Sequence, residues 1–110
     1  TDEEMATYRA PFADAPDRQV MPNWPREIPI AGEPPHMVAL VQSYADWLAQ
    51  STIPKLFINA DPGSILVGAQ RDFCRTWPNQ TEVTVKGLHF VQEDSGADIG
   101  RAVALWLQDI

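Results

Sequence analysis

The chain has 110 residues, 45% of them hydrophobic, and a formal net charge of −7 at pH 7 from eight basic and fifteen acidic residues. That length is one small domain or a piece of a larger one, and the charge disfavours nucleic acid and anionic membranes, which both need a basic footprint. No apolar stretch nears the roughly 20 residues that span a bilayer, the start Thr1-Asp2-Glu3-Glu4 is too acidic for a secretory signal, and a lone cysteine, Cys74, allows no internal disulfide, so a cytoplasmic setting is expected.

Thr1 followed three positions later by Glu4 is a capping box. It predicts a short helix to about Arg9, stopped by Pro11. Most of the ten prolines then fall between Ala10 and Pro35. Each removes an N–H and fixes φ, so this stretch reads as a loop without regular elements. It also carries Phe12, Met21, Trp24, Ile28 and Ile30, more apolar surface than a solvated linker would hold.

Met37 to Leu48 has helical periodicity, with Met37, Leu40, Val41, Tyr44 and Leu48 on one face. Pro34 and Pro35 suit its first turn. After Pro54, the run Lys55 to Asn59 holds a continuous Leu-Phe-Ile, the pattern of a parallel strand covered on both faces. Pro62-Gly63 is a turn signal. A helix is predicted from about Val67 to Trp77, with Cys74 on its apolar face as a small core residue. Thr81 to Lys86 alternates, as a strand near a sheet edge does. Gly87 to Asp94 reads as a loop. Ser95 to Asp98 gives a second capping signal, and Ile99, Val103, Trp106, Leu107 and Ile110 line a last helix. No internal repeat is found.

From Met37 onward the order is helix, strand, helix, strand, helix, which is the α/β rhythm of parallel strands joined by helical crossovers. Two strands do not make a stable sheet of that kind. The chain is therefore expected to be part of a larger fold.

His89 follows the second predicted strand directly, at the sheet rim where α/β proteins collect ligands and catalytic groups. A histidine there can exchange protons near neutral pH; the alternative is a loop histidine without a role. His36 opens a helix and reads as a surface residue. Asp61 ends the other strand, either to orient His89 or to cap its own Pro-Gly turn. Glu93 and Asp94 suit the start of the last helix, where carboxylates favour the dipole. His36 and His89 lie 53 positions apart with one cysteine, which is no recognisable metal spacing. No Gly-rich phosphate loop, no Gly-x-Ser-x-Gly elbow and no strand–Asp–Trp turn is present, so a nucleophile is missing.

Four stretches, in order, resemble the haloalkane dehalogenases and their relative, Renilla-type luciferase. They are Trp24 to Ile30 (WPREIPI), Pro54 to Gly63 (PKLFINADPG), Trp77 to Gln80 (WPNQ) and, most specifically, Gly87 to Asp94 (GLHFVQED). The resemblance implies an α/β-hydrolase sheet capped by a helical domain. Residues 1–35 would end the cap and return, and residues 36–110 would be the C-terminal part of the main domain, with its last two parallel strands and three helices. The missing N-terminal portion, a required partner, would carry the nucleophilic Asp and the halide-binding pair.

The implied activity is hydrolysis of a small halogenated aliphatic substrate to alcohol and halide, through an alkyl-enzyme ester cleaved by water, with no cofactor or metal. His89 would be the catalytic base. Trp24, Pro25, Ile28, Ser64, Ile65 and Phe90 would line the substrate cavity, with Ser64 making its mouth more polar or wider. Gly63 stands where some members carry their acid, which places the acid outside the chain and leaves Asp61 a turn residue. The alternatives are a luciferase-like, cofactor-free oxygenase using the same His89, or a fragment inactive without its N-terminal half.

Overall fold

The computed structural model describes residues 1–110 and divides into two compact units, Thr1–Ala45 and Asp46–Ile110. In the first unit, helix α1 spans Asp2–Arg9. Thr1 caps it reciprocally with Glu4, whose backbone N–H reaches the Thr1 hydroxyl at 3.2 Å. A 3-10 turn at Ala10–Phe12 continues the coil past Pro11, and another, Asp17–Gln19, leads into helix α2, Val20–Arg26.

Helix α2 corrects the expectation that this proline-rich stretch holds no regular element. Pro22 is its third residue, and the first four N–H groups of any helix have no partner within it. Pro25 is the next-to-last residue, so its missing N–H removes one bond at the helix end. A tight turn follows: Ile30 and Glu33 exchange both backbone hydrogen bonds, at 2.9 and 3.0 Å, around Ala31 and Gly32, both at positive φ.

Helix α3, Pro35–Gln50, begins where the predicted proline start lies and carries the chain from the first unit into the second. Strand β1, Lys55–Pro62, pairs in parallel with β2, Gln80–Gly87, in a register running from Lys55 opposite Gln80 to Pro62 opposite Gly87. Lys55 fixes the strand start by donating to the carbonyls of Ser51, Ile53 and Pro78 at 2.6, 3.1 and 3.0 Å.

Helix α4 is shorter than predicted, Ala69–Arg75. Gly68, at φ 54° and ψ −131°, delays its start, and the Thr76 hydroxyl closes its end on the Phe73 carbonyl at 2.7 Å.

Helix α5 spans Val91–Trp106, beginning four residues ahead of the predicted capping signal. That signal is nevertheless visible as a break: Ser95 has φ −138° and ψ 33°, non-helical angles that divide α5 after its first turn. The two-stranded sheet has α5 against one face, where Val85 is the only buried hydrophobic side chain. Leu56 and Val83 share that face with Trp106 and Leu105. Elsewhere large apolar side chains stay exposed, Phe73, Leu107 and Ile110 among them. No helix is long and apolar enough to cross a membrane.

Candidate active site

Strand β2 ends at Gly87 and α5 begins at Val91, so only Leu88, His89 and Phe90 connect them. Phe90 occupies the helix cap position without a side-chain hydrogen bond. The turn is instead held from further along α5. Asp94 Oδ2 accepts the Leu88 N–H at 2.9 Å, and the Ser95 hydroxyl donates to the Lys86 carbonyl at 2.5 Å. Between these anchors Gly87 is buried, and a Cβ there would come within 2.9 Å of Val91 Cγ2 and 3.1 Å of Asp94 Oδ2. A side chain at that point would have to push both neighbours aside.

His89 is exposed, and its ring lies against Phe90 with centroids 4.4 Å apart at 55°. The imidazole borders a cavity of about 250 Å³ between the two strand exits. Ile58 and Ala60, alternate residues of β1, form its floor; Ser64, Ile65, Leu66, Leu88 and Val91 complete the wall. The lining is mostly apolar, with Ser64 and His89 as its polar side chains. A larger cavity, about 880 Å³, lies in the first unit among Tyr8, Phe12, Arg18 and Met21. No carboxylate, imidazole or thiol lines it, and Arg18 is engaged with the Phe12 and Ala13 carbonyls at 2.9 and 2.6 Å. The smaller cavity is the one with an imidazole on its wall.

The β1 exit is tied to the His89 turn by the Gly63 N–H, which donates to the Gly87 carbonyl at 2.9 Å. Gly63 has φ 72°, where its lack of a Cβ is needed. Arg71, on α4, reaches back to the carbonyls of Ala60 and Pro62 at 2.8 and 3.1 Å and Leu66 at 3.3 Å. Asp61 follows Ala60 on the opposite face of β1 and does not line the cavity. No group of three or more His, Cys, Asp or Glu side chains is placed to hold a metal ion. His36, highly exposed, meets Glu27 at 2.9 Å, as fits a surface histidine. Cys74 is half-buried, and burial pushes its thiol up from the usual range, away from the thiolate a nucleophile needs.

Of the residues expected at the site, the structure brings His89, Ser64 and Ile65 onto one cavity and sets Phe90 against the His89 ring. Trp24 and Pro25 lie on α2 of the first unit, with Ile28 two residues past its end; Trp24 is 77% exposed. The sequence reading missed Ile58, Ala60, Leu66, Leu88 and Val91. Strand alternation would have found Ile58 and Ala60, since they share one face of β1. It also missed Arg71, Asp94 and Ser95, whose roles depend on contacts five to eleven residues away.

A histidine just past the C-terminal end of a parallel strand, beside an apolar cavity, is an α/β-hydrolase rim arrangement. No family model matches the chain. A haloalkane dehalogenase of Sphingobium indicum is 58% identical over 96% of this chain and 36% of its own length. One from Mycolicibacterium smegmatis is 52% identical over 100% of this chain and 36% of its own length. The crystal structure of an ancestral haloalkane dehalogenase superposes with a TM-score of 0.89 at 41% identity, over 99% of this chain and 39% of that one.

The fold is thus the C-terminal piece of an α/β-hydrolase. By sequence and structure alike, the chain matches the C-terminal part of haloalkane dehalogenases, and it spans about a third of the length of the curated relatives it matches.

Proposed function

We propose that this chain is the C-terminal part of a dehalogenating hydrolase and that His89 is its base. The observation that carries the reading is the imidazole on an apolar cavity wall, at the strand rim, in a chain 58% identical to a haloalkane dehalogenase. In the first step an aspartate of the N-terminal portion attacks an sp³ carbon. A carbon–oxygen bond forms, the carbon–halogen bond breaks, and halide leaves with the electron pair. In the second, water attacks the ester carbonyl while His89 takes its proton; the alcohol leaves and the carboxylate is restored. Ile65 and Phe90 supply apolar wall for an aliphatic substrate, and Ser64 a polar point at its mouth. No cofactor is called for, and a cytoplasmic setting fits a single thiol.

The N-terminal portion is a partner in this reading. Within the second unit, Phe73, Leu88, Leu105 and Leu107 stay exposed, apolar surface that further strands and helices would cover.

Intact-mass spectrometry on the complete enzyme, meaning this chain joined to its N-terminal portion, tests the base. His89→Phe should release one bromide per site from 1-bromobutane and hold the alkyl adduct. Sustained turnover by that variant would remove His89 from the mechanism. The 110-residue chain alone should release no bromide above buffer.

A further inference from the structure

We infer that Asp94 and Ser95 are positioning residues that aim His89 by fixing the backbone on either side of Gly87. The inference rests on the reading of His89 as the base. His89 sits in a three-residue turn, is exposed, and has the Phe90 ring as its aromatic neighbour. Within this chain, its direction comes from the main chain that carries it. Three successive residues of that main chain are anchored. The Lys86 carbonyl accepts the Ser95 hydroxyl at 2.5 Å, the Gly87 carbonyl accepts the Gly63 N–H at 2.9 Å, and the Leu88 N–H donates to Asp94 at 2.9 Å.

Two of these three anchors come from neighbouring side chains of one helix, and α5 is broken at the residue that provides one of them. Ser95 leaves helical angles, is only 8% exposed, and spends its hydroxyl on the strand it faces. Asp94 serves as an acceptor for a backbone N–H six residues earlier rather than for the helix's own first turn. An ordinary cap would need neither the reach nor the break. The arrangement pins the last residue but one of β2 and the first residue of the turn, leaving His89 one residue from a fixed point. Displacing a reacting group by 1 Å costs on the order of 10²-fold in rate, so release of this latch should strike the step that uses the base.

Rapid-quench kinetics on the complete enzyme with 1-bromobutane separate bromide release from ester hydrolysis. Asp94→Ala should leave the bromide burst within about twofold and slow hydrolysis by about 10- to 100-fold, so that ester accumulates. Asp94→Asn keeps a side-chain carbonyl for the Leu88 N–H and should recover hydrolysis to within about threefold of wild type. Ser95→Ala and Ser95→Thr form a second pair, the threonine retaining the hydroxyl; they decide the matter if Asp94→Ala does not fold. Hydrolysis at the wild-type rate in both alanine variants overturns the latch. So does an equal fall in both steps, or rescue by neither conservative variant. His89→Phe measured beside them keeps the two readings apart: an ester trapped there, with both alanine variants unaffected, sinks the latch and leaves the base.

Discussion

The two parallel strands leave the sheet side by side, yet their exits are built on opposite plans. The β1 exit is wide, running from Gly63 to Gly68, with both glycines at positive φ. One cation holds it: the Arg71 guanidinium reaches the carbonyls of Ala60, Pro62 and Leu66. A planar fork suits diverging carbonyls in a way that a point charge does not. The β2 exit is three residues long and is held by a carboxylate and a hydroxyl from the helix it feeds. The wide exit offers several side chains to the cavity, Ser64, Ile65 and Leu66, whereas the short one offers Leu88 and a single polar group, His89. A wall can be made from a loop secured at a few carbonyls, but an aimed imidazole needs its own backbone secured residue by residue.

Glycine substitutions at the two exits test that contrast most strongly. Gly63→Ala must hold a Cβ at φ 72°, 2.7 Å from Arg71 Nη2 and 2.9 Å from the Ala60 carbonyl oxygen. The second contact is backbone and does not yield, so a loss of about 2–4 kcal/mol is expected from urea midpoints of the complete enzyme. Gly87→Ala meets the Val91 and Asp94 side chains, which can turn, and should cost less, about 1–2 kcal/mol. The reverse order would break the comparison.

Arg71→Met comes next. It keeps much of the stem and strips the donors from three carbonyls, with an expected loss of about 1–3 kcal/mol. Arg71→Lys should regain only part of that, because an ammonium cannot span the same fork. Full recovery with lysine would mean that charge, and not fork geometry, holds the β1 exit.

The sequence carried the periodic parts of the fold well. The capping box at Thr1, the helical face from Met37, the continuous apolar run of β1 and the alternation of β2 each arise from local pattern, and each is an element of the structure. Where the sequence misled, proline was the reason in α2, since its first turn tolerates what a helix interior does not. At α5 a true cap-like signal at Ser95 marks a break inside the helix, not its start. Within the site, the place of His89 at a strand end was legible from the pattern, whereas Ser64 and Ile65 were expected only from the family resemblance. The anchors were not, because a reach from Asp94 back to Leu88, or from Arg71 to Ala60, is set by how two chain directions meet in space and leaves no periodic trace.

The smallest effect sharpens the comparison by isolating the second arginine of α4. Arg75 lies four residues after Arg71, on the same helix face, and reaches β2 where Arg71 reaches the β1 exit. It meets Glu82 through two hydrogen bonds, Nε to Oε2 at 2.9 Å and Nη2 to Oε1 at 2.7 Å. The hydrogen bonds from Arg75 pull the Glu82 carboxyl below its usual value of 4.5, with weaker help from the charges of Arg75 and Arg71, and partial burial opposes them. The native state therefore holds Glu82 unprotonated to lower pH than the unfolded chain does. The stability this adds is complete above about pH 4.5 and is lost as the pH falls through the lowered folded value. Glu82→Gln should then flatten the acid limb of the stability curve below pH 4.5 and move the neutral urea midpoint less than either loop variant does. At 1 M salt the wild-type curve should approach that of the variant, since both partners are partly exposed. An unchanged acid limb would show that α4 is secured to the strands by Arg71 alone.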